Sequence, residues 1–474
     1  MGLTSILGTS ARALNAYSGA LSVIGNNVAN AANENYSRQR VEFSTLSPDN
    51  LGGIEIGRGL YLSNVSQVID TFVENRLTES YQDESKSAAL FEFLRSVDSI
   101  FSEFSGSGLN AAMADFFDSW TGLAAEPANI TVRNEVIASA QSMINVFNQY
   151  AEAVNTMVST IDDEIESTVP LVNNALAQIR DLNETIQLST TSSLNYLDER
   201  RAAVNELAQY IDITVVEVDD ALQIYTKAGQ PLLNGENVAT IGAQPNNTTG
   251  YMDITYTMGS TTATITDSIM GGRLAGLVDA RDNYVASYLT ELNRAAYAMV
   301  KQINTLHSGA GTAFDLDGNA GGAFFEDILL ADIGSAAENI SLSANVNGDP
   351  RNIVASSTAA GVPGNNVTAL AIAALSSSTS IDFDPGAGTD TNSFTGHFGD
   401  LLADIGSDTL IAESTQEFHE NILNQVLLER SETSGVNMDE EEINLIKFQS
   451  AYQAAARLVQ VADTLLASLM EILG

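Results

Sequence analysis

The sequence predicts a mainly α protein with a smaller antiparallel β part, in which the N- and C-terminal helices pair as a coiled coil. Three observations lead to this prediction. Apolar residues recur at alternating spacings of three and four at both ends of the chain. Long stretches between the ends keep a helical period. Residues 212–268 instead alternate with a period of two, which is typical of strands.

The first helix is predicted from Leu3 and Leu7 through Leu21 to Val28, with Ser10 as a polar residue in the same seam. Its one charged side chain is Arg12. A helix exposed to water usually has charge on its outer face. We therefore expect more than one face of this helix to be buried.

The last helix begins with an Asn form of the capping box, in which Asn437 is followed by Glu440. Acidic residues 439–442 lie where the helix dipole favours negative charge. This helix is also poor in charge, so we expect the two ends to pair and their outer faces to pack against neighbouring subunits. The predicted assembly interface comprises Leu3, Leu7, Leu14, Tyr17, Leu21, Ile24, Val28, Leu445, Phe448, Tyr452, Ala455, Leu458, Ala462, Leu465 and Leu469. On α-helical spacing Phe448, Ala451, Ala455, Leu458, Ala462, Leu465 and Leu469 form one seam, with Leu445, Tyr452, Val459 and Leu466 beside it.

Five segments are predicted along the chain. They are an N-terminal coiled-coil helix at 1–35 (an inner domain with 437–474), a rod domain with long helices at 36–211, a β subdomain at 212–268, a return of the rod domain at 269–436, and a C-terminal coiled-coil helix at 437–474. Within residues 269–436 we expect a helix at 281–307, then a Gly/Ala/Ser-rich segment at 308–400 that is partly loop-rich or disordered, and then a helix at 410–430. We also expect Pro170 to begin a helix, because proline suits the first helical position.

Composition excludes several functions. The chain has 20 basic and 60 acidic residues, a formal net charge of −40. Such a chain is repelled by nucleic acid and by anionic membranes, so we expect neither as a partner. It has no cysteine, which excludes disulfides and thiol chemistry, and its three histidines are far apart in sequence. We therefore predict no metal site and no cofactor.

No catalytic motif is evident. The loop at Ala313 resembles a calcium-binding loop, but its first and twelfth positions would be Ala313 and Phe324 rather than acids. Acid pairs such as Asp162-Asp163 are common in so acidic a chain and usually face solvent. We predict no enzyme and no catalytic residue. A secreted acidic enzyme with a carboxylate pair, or an adhesin, stays open as an alternative.

The N-terminus lacks the basic and continuous apolar regions of a secretory signal, and no stretch is apolar enough to span a membrane. We expect export, if it occurs, to use a route without a cleaved signal peptide.

Several runs together resemble one family. They are Ser18-Gly19-Ala20-Leu21 through Asn26-Asn27-Val28-Ala29-Asn30 to Tyr36-Ser37-Arg38-Gln39, Leu197-Asp198-Glu199-Arg200-Arg201, Gly229-Gln230-Pro231-Leu232, Gly272-Arg273-Leu274-Ala275-Gly276-Leu277, Asn304-Thr305-Leu306-His307, and Ser434-Gly435-Val436-Asn437-Met438-Asp439-Glu440-Glu441. The chain resembles the bacterial flagellar axial protein family, and within it the proteins of the hook–filament junction. The family's Thr-Pro-Gly turn is replaced here by Asn33-Glu34-Asn35, and asparagine can take the left-handed conformation of glycine.

The resemblance implies a structural adapter that forms a ring and joins the hook to the filament. It implies as partners further copies of the chain, the hook protein, a second hook-associated protein on the filament side, an export chaperone and the type III export apparatus. It implies an extracellular location in the flagellum and no catalytic residue. A hook or distal-rod subunit is the alternative within the family.

Overall fold

Long helices dominate the fold, which confirms the predicted class. The computed structural model describes residues 3–51, 54–102, 108–189, 194–309, 311–385 and 391–473. The helices are α1 (Leu3–Ala29), α2 (Thr71–Phe101), α3 (Leu109–Ala125), α4 (Ile130–Leu188), α5 (Leu194–Tyr210), α6 (Gly272–Asp279), α7 (Ala286–His307), α8 (Ala336–Asn339), α9 (Ala344–Gly348), α10 (Val367–Ala373), α11 (Phe394–Ser434) and α12 (Met438–Leu473). In the described part of the chain, none of them is long and apolar enough to cross a membrane.

A two-stranded ribbon follows α1 and packs against it. Strands β1 (Gln39–Thr45) and β4 (Leu60–Gln67) pair antiparallel, and β2 (Asp49–Leu51) pairs with β3 (Ile54–Ile56). The ribbon gives α1 a second packed face besides α12, as its low charge predicts.

The core of the rod lies among α2, α3 and α4, where Phe101, Trp120 and Phe147 are fully buried. Helix α4 begins at its cap Asn129, whose side chain accepts the Thr131 N–H at 2.9 Å. It runs without interruption past Pro170, so the prediction that Pro170 begins a helix is wrong. A proline inside a helix costs about 3 kcal/mol. Pro170 itself is exposed, and the apolar face of α4 is buried both before and after it. The free energy gained by this burial outweighs the cost of the proline.

The antiparallel strands predicted between 212 and 268 are present. Asp219 and Asp220 both have positive φ, at 51° and 63°, which makes a two-residue hairpin turn between the first two strands. The strands are β5 (Thr214–Val218), β6 (Ala221–Tyr225), β7 (Pro231–Asn234), β8 (Asn237–Val238), β9 (Thr240–Pro245), β10 (Met252–Met258) and β11 (Thr261–Thr264). They form two sheets with the strand orders β5-β6-β7-β8 and β11-β10-β9.

Helix α6 continues into α7 through a π-helical segment at Ala280–Val285, so this helix begins at Gly272 rather than at residue 281 as predicted. Buried Arg281 lies in the π-helical segment. It donates to the Asp162 carboxylate on α4 and, at 2.8 Å, to the Met252 carbonyl on β10. The β strands are thereby bonded to the rod.

The segment predicted at 308–400 is irregular, but its described part packs into the core. Phe324, Phe325, Ile340 and Ile353 are all buried. Its strands, β12 (Ile381–Asp382) and β13 (Thr391–Asn392), have two residues each, and α11 begins at Phe394, earlier than the predicted 410. The sequence gives no periodic pattern here, because the elements of this segment are only two to seven residues long.

His307 lies at the end of α7 and is completely buried. Its Nδ1 is 2.7 Å from the Gly322 carbonyl, and its Nε2 accepts the Val354 N–H at 3.0 Å. Burial lowers the pKa of His307 to about 4, because a charged imidazole would lose its hydration there. The neutral ring is therefore part of the folded core.

We expect the free energy of unfolding to fall as the pH drops from 6.5 towards 4. Below pH 6.5 the unfolded chain binds a proton at His307 that the folded chain does not bind. The loss from this residue amounts to about 2 kcal/mol between pH 7 and pH 5. Urea unfolding, followed by the fluorescence of the one tryptophan, Trp120, measures it.

The control is His307→Gln, which removes the titrating group from the same site. Its stability should change less than that of the unaltered chain between pH 7 and pH 5. Parallel curves for the two proteins would contradict a neutral buried His307.

Candidate assembly interface

The terminal helices α1 and α12 lie side by side, as predicted. They come from opposite ends of the chain, and we call this pair of helices the hairpin. Ala455 and Ala462 of α12 are buried, and α12 packs against α1. Side chains this small let the two helix axes come close together. The hairpin is therefore held by tight packing of small residues as well as by its larger apolar side chains.

An aromatic cluster joins this hairpin to the ribbon. The ring centroids of Tyr17 and Phe43 are 6.1 Å apart, those of Tyr17 and Phe448 6.2 Å, and those of Phe43 and Phe448 5.7 Å. These distances are typical of attractive aromatic pairs. One residue comes from each of α1, β1 and α12, so the cluster fixes all three elements together.

The residues of the predicted assembly interface differ in their exposure. The buried residues are Ile24, Ala455 and Ala462. The half-buried residues are Leu7, Leu14, Tyr17, Leu21, Leu445 and Phe448. The exposed residues are Val28, Tyr452, Leu458 and Leu465. The side chains of Leu3 and Leu469 lie outside the described part of the structure.

Helix α12 has a second apolar face, which is largely exposed to solvent. We call it the outer stripe, and it consists of Ile443, Ile446, Leu458, Val461 and Leu465, each at least half exposed. Heptad spacing alone predicts Leu458 and Leu465 in one seam with the buried alanines. In the structure the α1-facing seam passes along half-buried Val459 and Leu466, and their neighbours Leu458 and Leu465 point outward.

The hairpin is tied to the rod by polar contacts at the segment Tyr36–Gln39, which we call the joint. Asn27, buried on α1, donates to the Gln39 carbonyl at 2.9 Å and accepts the Gln39 N–H at 3.0 Å. It also accepts the Tyr36 hydroxyl at 2.8 Å. The amide of Asn27 thus pairs with the first residue of β1 much as a neighbouring strand would.

Helix α5 contacts the joint from the other side. The Ser37 N–H donates to Asp198 Oδ1 at 3.2 Å. Arg201 donates to the same Asp198 oxygen at 2.6 Å, to the Ser37 hydroxyl at 3.2 Å and to Gln67 Oε1 at 2.8 Å. Charge-assisted hydrogen bonds of this kind are stronger than neutral ones. They connect the joint and strand β4 of the ribbon to the rod.

Arg38 connects the joint to the C-terminal part of the chain. Its N–H donates to the Ser434 carbonyl at the end of α11, at 2.8 Å. Its side chain forms ion pairs with Glu440 at 2.6 Å and with the buried Glu441 at 3.0 Å, both in the first turn of α12. The acidic first turn predicted as a cap therefore also binds an arginine from the opposite end of the chain.

Burial, reinforced by the negative charges of Asp198 and Glu441, raises the pKa of Tyr36 to about 12. The hydroxyl therefore stays protonated at neutral pH and can donate to Asn27. The turn before Tyr36 forms without any positive φ at Asn33 or Asn35, so the expected left-handed asparagine is not used.

The joint is not predicted from the sequence. The runs Tyr36–Gln39 and Leu197–Arg201 show a family resemblance, but nothing in them indicates that they contact each other. One signal was available, because Asn27 lies three residues after Ile24 and seven after Ala20, on the apolar face of α1. A polar residue in that position must find buried partners.

The side chains of the joint pair with backbone groups and with one another, which holds α1, α5 and α12 together. In the described ranges, no group of three or more His, Asp or Glu side chains is placed to hold a metal ion. The candidate site is thus a surface, formed by the outer stripe, on a hairpin held in place by the joint.

Comparison with known proteins gives the family. Residues 94–325 match the family model described as "Flagellar hook-associated protein FlgK helical domain", and residues 429–472 match "Flagellar basal body rod FlgEFG protein C-terminal". Flagellar hook-associated protein 1 of Bacillus subtilis is 27% identical over 513 residues, covering 99% of this chain and 98% of that protein. The chain belongs to the flagellar hook-associated protein 1 family.

Two further matches are one relative in sequence and one solved structure of similar fold. Flagellar hook-associated protein 1 of Salmonella typhimurium is 23% identical over 560 residues, covering 99% of this chain and all of that protein. The flagellar hook junction protein FlgK of Burkholderia pseudomallei has a similar fold, with a TM-score of 0.68 and 14% identity. That match covers 76% of this chain and 100% of the FlgK chain.

We expect Asn27→Ala to loosen the hairpin and leave the rod intact. The change strands the buried N–H and C=O of Gln39, at a cost of about 1–3 kcal/mol for each unpaired group. Amide hydrogen exchange in α1 should speed up at least tenfold, because a loss of about 1.4 kcal/mol raises the equilibrium constant for opening of the helix tenfold. Unfolding of the rod, followed by Trp120 fluorescence, should be unchanged.

The matched control is Asn15→Ala, which removes an exposed asparagine from the same helix. It should leave amide exchange in α1 close to that of the unaltered chain. Equal exchange rates for the Asn27 and Asn15 variants would show that the joint does not hold the hairpin.

Proposed function

We propose that this chain is a structural adapter of the bacterial flagellum, which joins the hook to the filament as a ring of subunits assembled through their terminal helices. Members of its family are flagellar hook-associated proteins, and a protein of similar fold is a hook junction protein. The chain therefore belongs to the extracellular flagellum. Its family is structural, and the adapter role needs no catalytic residue.

The outer stripe of α12 is the observation that supports assembly. Each large apolar side chain gains roughly 1.5–3 kcal/mol when it is buried rather than exposed. A single subunit leaves five such residues in water along one helix. A neighbouring copy that covers the stripe would recover this free energy. Together with α1, the stripe thus forms the proposed assembly interface.

The distribution of charge supports the same surface. Arg12 is the sole charged residue before Glu34, and residues 443–474 contain two basic and two acidic residues. Nearly all of the net charge of −40 therefore lies between these ends. Neutral hairpins can pack closely in a ring, whereas the acidic rods repel one another.

The partners follow from this role. The hook protein would lie on one side of the ring and a second hook-associated protein on the filament side. Before assembly an export chaperone would cover the outer stripe, as a groove covers an amphipathic helix. The type III export apparatus would then carry the chain outward without a cleaved signal, and a chain without cysteine cannot be cross-linked on the way.

A hook or distal-rod subunit is less well supported. The match over residues 94–325 is to the helical domain of the hook-associated protein, and it covers the middle of the chain, where the resemblance to junction proteins is most specific. Neither an acidic enzyme nor an adhesin is favoured by any described feature.

We expect Leu458→Asp to block assembly without unfolding the subunit. Leu458 is 54% exposed, so an aspartate there contacts water in the free subunit and would be buried in the ring. Circular dichroism and Trp120 fluorescence should match the unaltered chain. Immunoblots of isolated flagella should show the variant lost from the flagella, while the cells still secrete it.

Gln449→Asp is the control, since it introduces the same charge at an exposed position of α12 outside the outer stripe. It should enter flagella normally. Normal incorporation of Leu458→Asp would refute the role of the outer stripe.

A further inference from the structure

Amide side chains on the helices pair with extended backbone at several places in this fold. Each of these amides bonds both the N–H and the C=O of one residue, as a neighbouring strand would. Five such pairs are present in the described ranges, namely Asn27 with Gln39, Gln82 with Ile213, Asn173 with Ile241, Asn183 with Leu222 and Asn304 with Phe325. The amides thus satisfy backbone groups that no strand reaches.

Strand β5 lies at the edge of the sheet β5-β6-β7-β8 and pairs with β6 on one side. Leu222 on β6 turns its N–H and C=O away from β5, because both groups bond the Asn183 amide, at 3.0 and 2.9 Å. Opposite residues of an antiparallel pair turn their backbone groups the same way, either both inward or both outward. Glu217, opposite Leu222, therefore directs its N–H and C=O to the free edge, and so does Val215 two residues earlier.

The free edge of β5 is closed at one end and open along the rest. Ile213 comes next in the same alternation, and Gln82 on α2 bonds its N–H at 3.3 Å and its C=O at 3.2 Å. In the described chain, no hydrogen bond is made by the outward backbone groups of Val215 and Glu217. Natural proteins usually cover or block such an edge, because it can bind another strand. The edge from Val215 to Glu217 is therefore available to a further strand.

A groove of about 550 Å³ is lined by this edge and by two helices. Val215 and Glu217 of β5 lie on one side of it, and residues of α2 and α5 lie on the others. Leu197 and Val204 of α5 add apolar surface to its lining. Recognition of an extended peptide needs open backbone groups for affinity and pockets for alternate side chains. The groove supplies both.

The charges around the groove favour a basic occupant. The open edge ends at the exposed turn Asp219–Asp220, and exposed Glu79 lies on the α2 wall. Arg200 and Arg201 in the lining already form ion pairs within the chain. Exposed Lys227 follows β6, at the end of the groove away from that turn. A basic side chain beside Asp219–Asp220 would therefore be attracted electrostatically.

We propose that β5 binds an extended segment of another protein by strand addition, in the groove between α2 and α5. The backbone of this segment bonds Val215 and Glu217 as Gln82 bonds Ile213. Its small apolar side chains enter the groove, and a basic residue lies beside the turn Asp219–Asp220. A second copy of the chain is disfavoured, because the acidic rods repel one another. The proposal does not depend on the adapter function, since a free subunit contains the whole site.

Binding of a synthetic peptide to the full chain tests the proposal. The probe is fluorescein-labelled Lys-Val-Thr-Val-Lys-amide, which alternates polar and apolar residues and carries lysine at both ends to suit either strand direction. Fluorescence anisotropy should show saturable binding. At saturation, amide hydrogen exchange at Val215 and Glu217 should slow roughly tenfold, because the peptide bonds their N–H groups.

The control probe is the same peptide with every backbone nitrogen methylated. It keeps the side chains and the charge, but it cannot donate a backbone hydrogen bond. It should bind roughly tenfold more weakly than the unmethylated peptide. Equal binding of the two peptides, or no saturable binding of the first, would overturn the proposal.

A matched pair of variants tests the same edge from the side of the protein. Glu217→Pro and Glu217→Ala both remove the ion pair to Arg200, and only the proline also removes the outward N–H. Since β6 does not use that N–H, the sheet should still form, which circular dichroism checks. Glu217→Pro should bind the unmethylated peptide roughly tenfold more weakly than Glu217→Ala does.

Two results with these variants would contradict strand addition by another protein. One is equal affinity of the two folded variants for the peptide. The other is a dimer of the unaltered chain that Glu217→Pro dissociates and Glu217→Ala does not, which would assign the edge to a second copy. If Glu217→Pro does not fold, the comparison of the two peptides on the unaltered chain decides.

Discussion

The backbone of Tyr36–Gln39 is bonded from three directions, and the position of the hairpin on the rod depends on it. Asn27 pairs with it from α1, Asp198 from α5, and Ser434 at the end of α11 accepts from Arg38. Buried backbone groups must be paired, so the segment cannot shift without breaking bonds to all three. The hairpin is thereby oriented on the rod within a single subunit. An incoming copy then meets an interface that is already in place.

Charge divides the chain into two kinds of surface. The terminal hairpin is nearly neutral and keeps an apolar stripe exposed, whereas the body carries almost all of the net charge of −40. The acidic body keeps the free subunit soluble and limits contact between copies to surfaces without acids. Salt screens such repulsion beyond about 10 Å at 0.1 M ionic strength.

The sequence predicted the fold class, the pairing of the ends and the antiparallel strands, because each of these depends on local periodicity or on turn residues such as Asp219 and Asp220. It did not predict that α4 continues through Pro170, where the buried face on either side outweighs a local helix breaker. It also missed the joint, since the partners of Asn27 and Asp198 are brought together only by tertiary folding. Which of the apolar residues on α12 face α1 could not be predicted either. Heptad spacing fits Leu458 and Val459 almost equally well, and only the close approach at Ala455 and Ala462 decides between them.

Electron microscopy of cells that lack this chain tests the adapter function most directly. The account predicts hooks that end bare, with flagellin released into the medium, because the filament has no junction to grow on. Restoring the unaltered chain should restore filaments. Ordinary filaments on the hooks of the deletion cells would contradict the account.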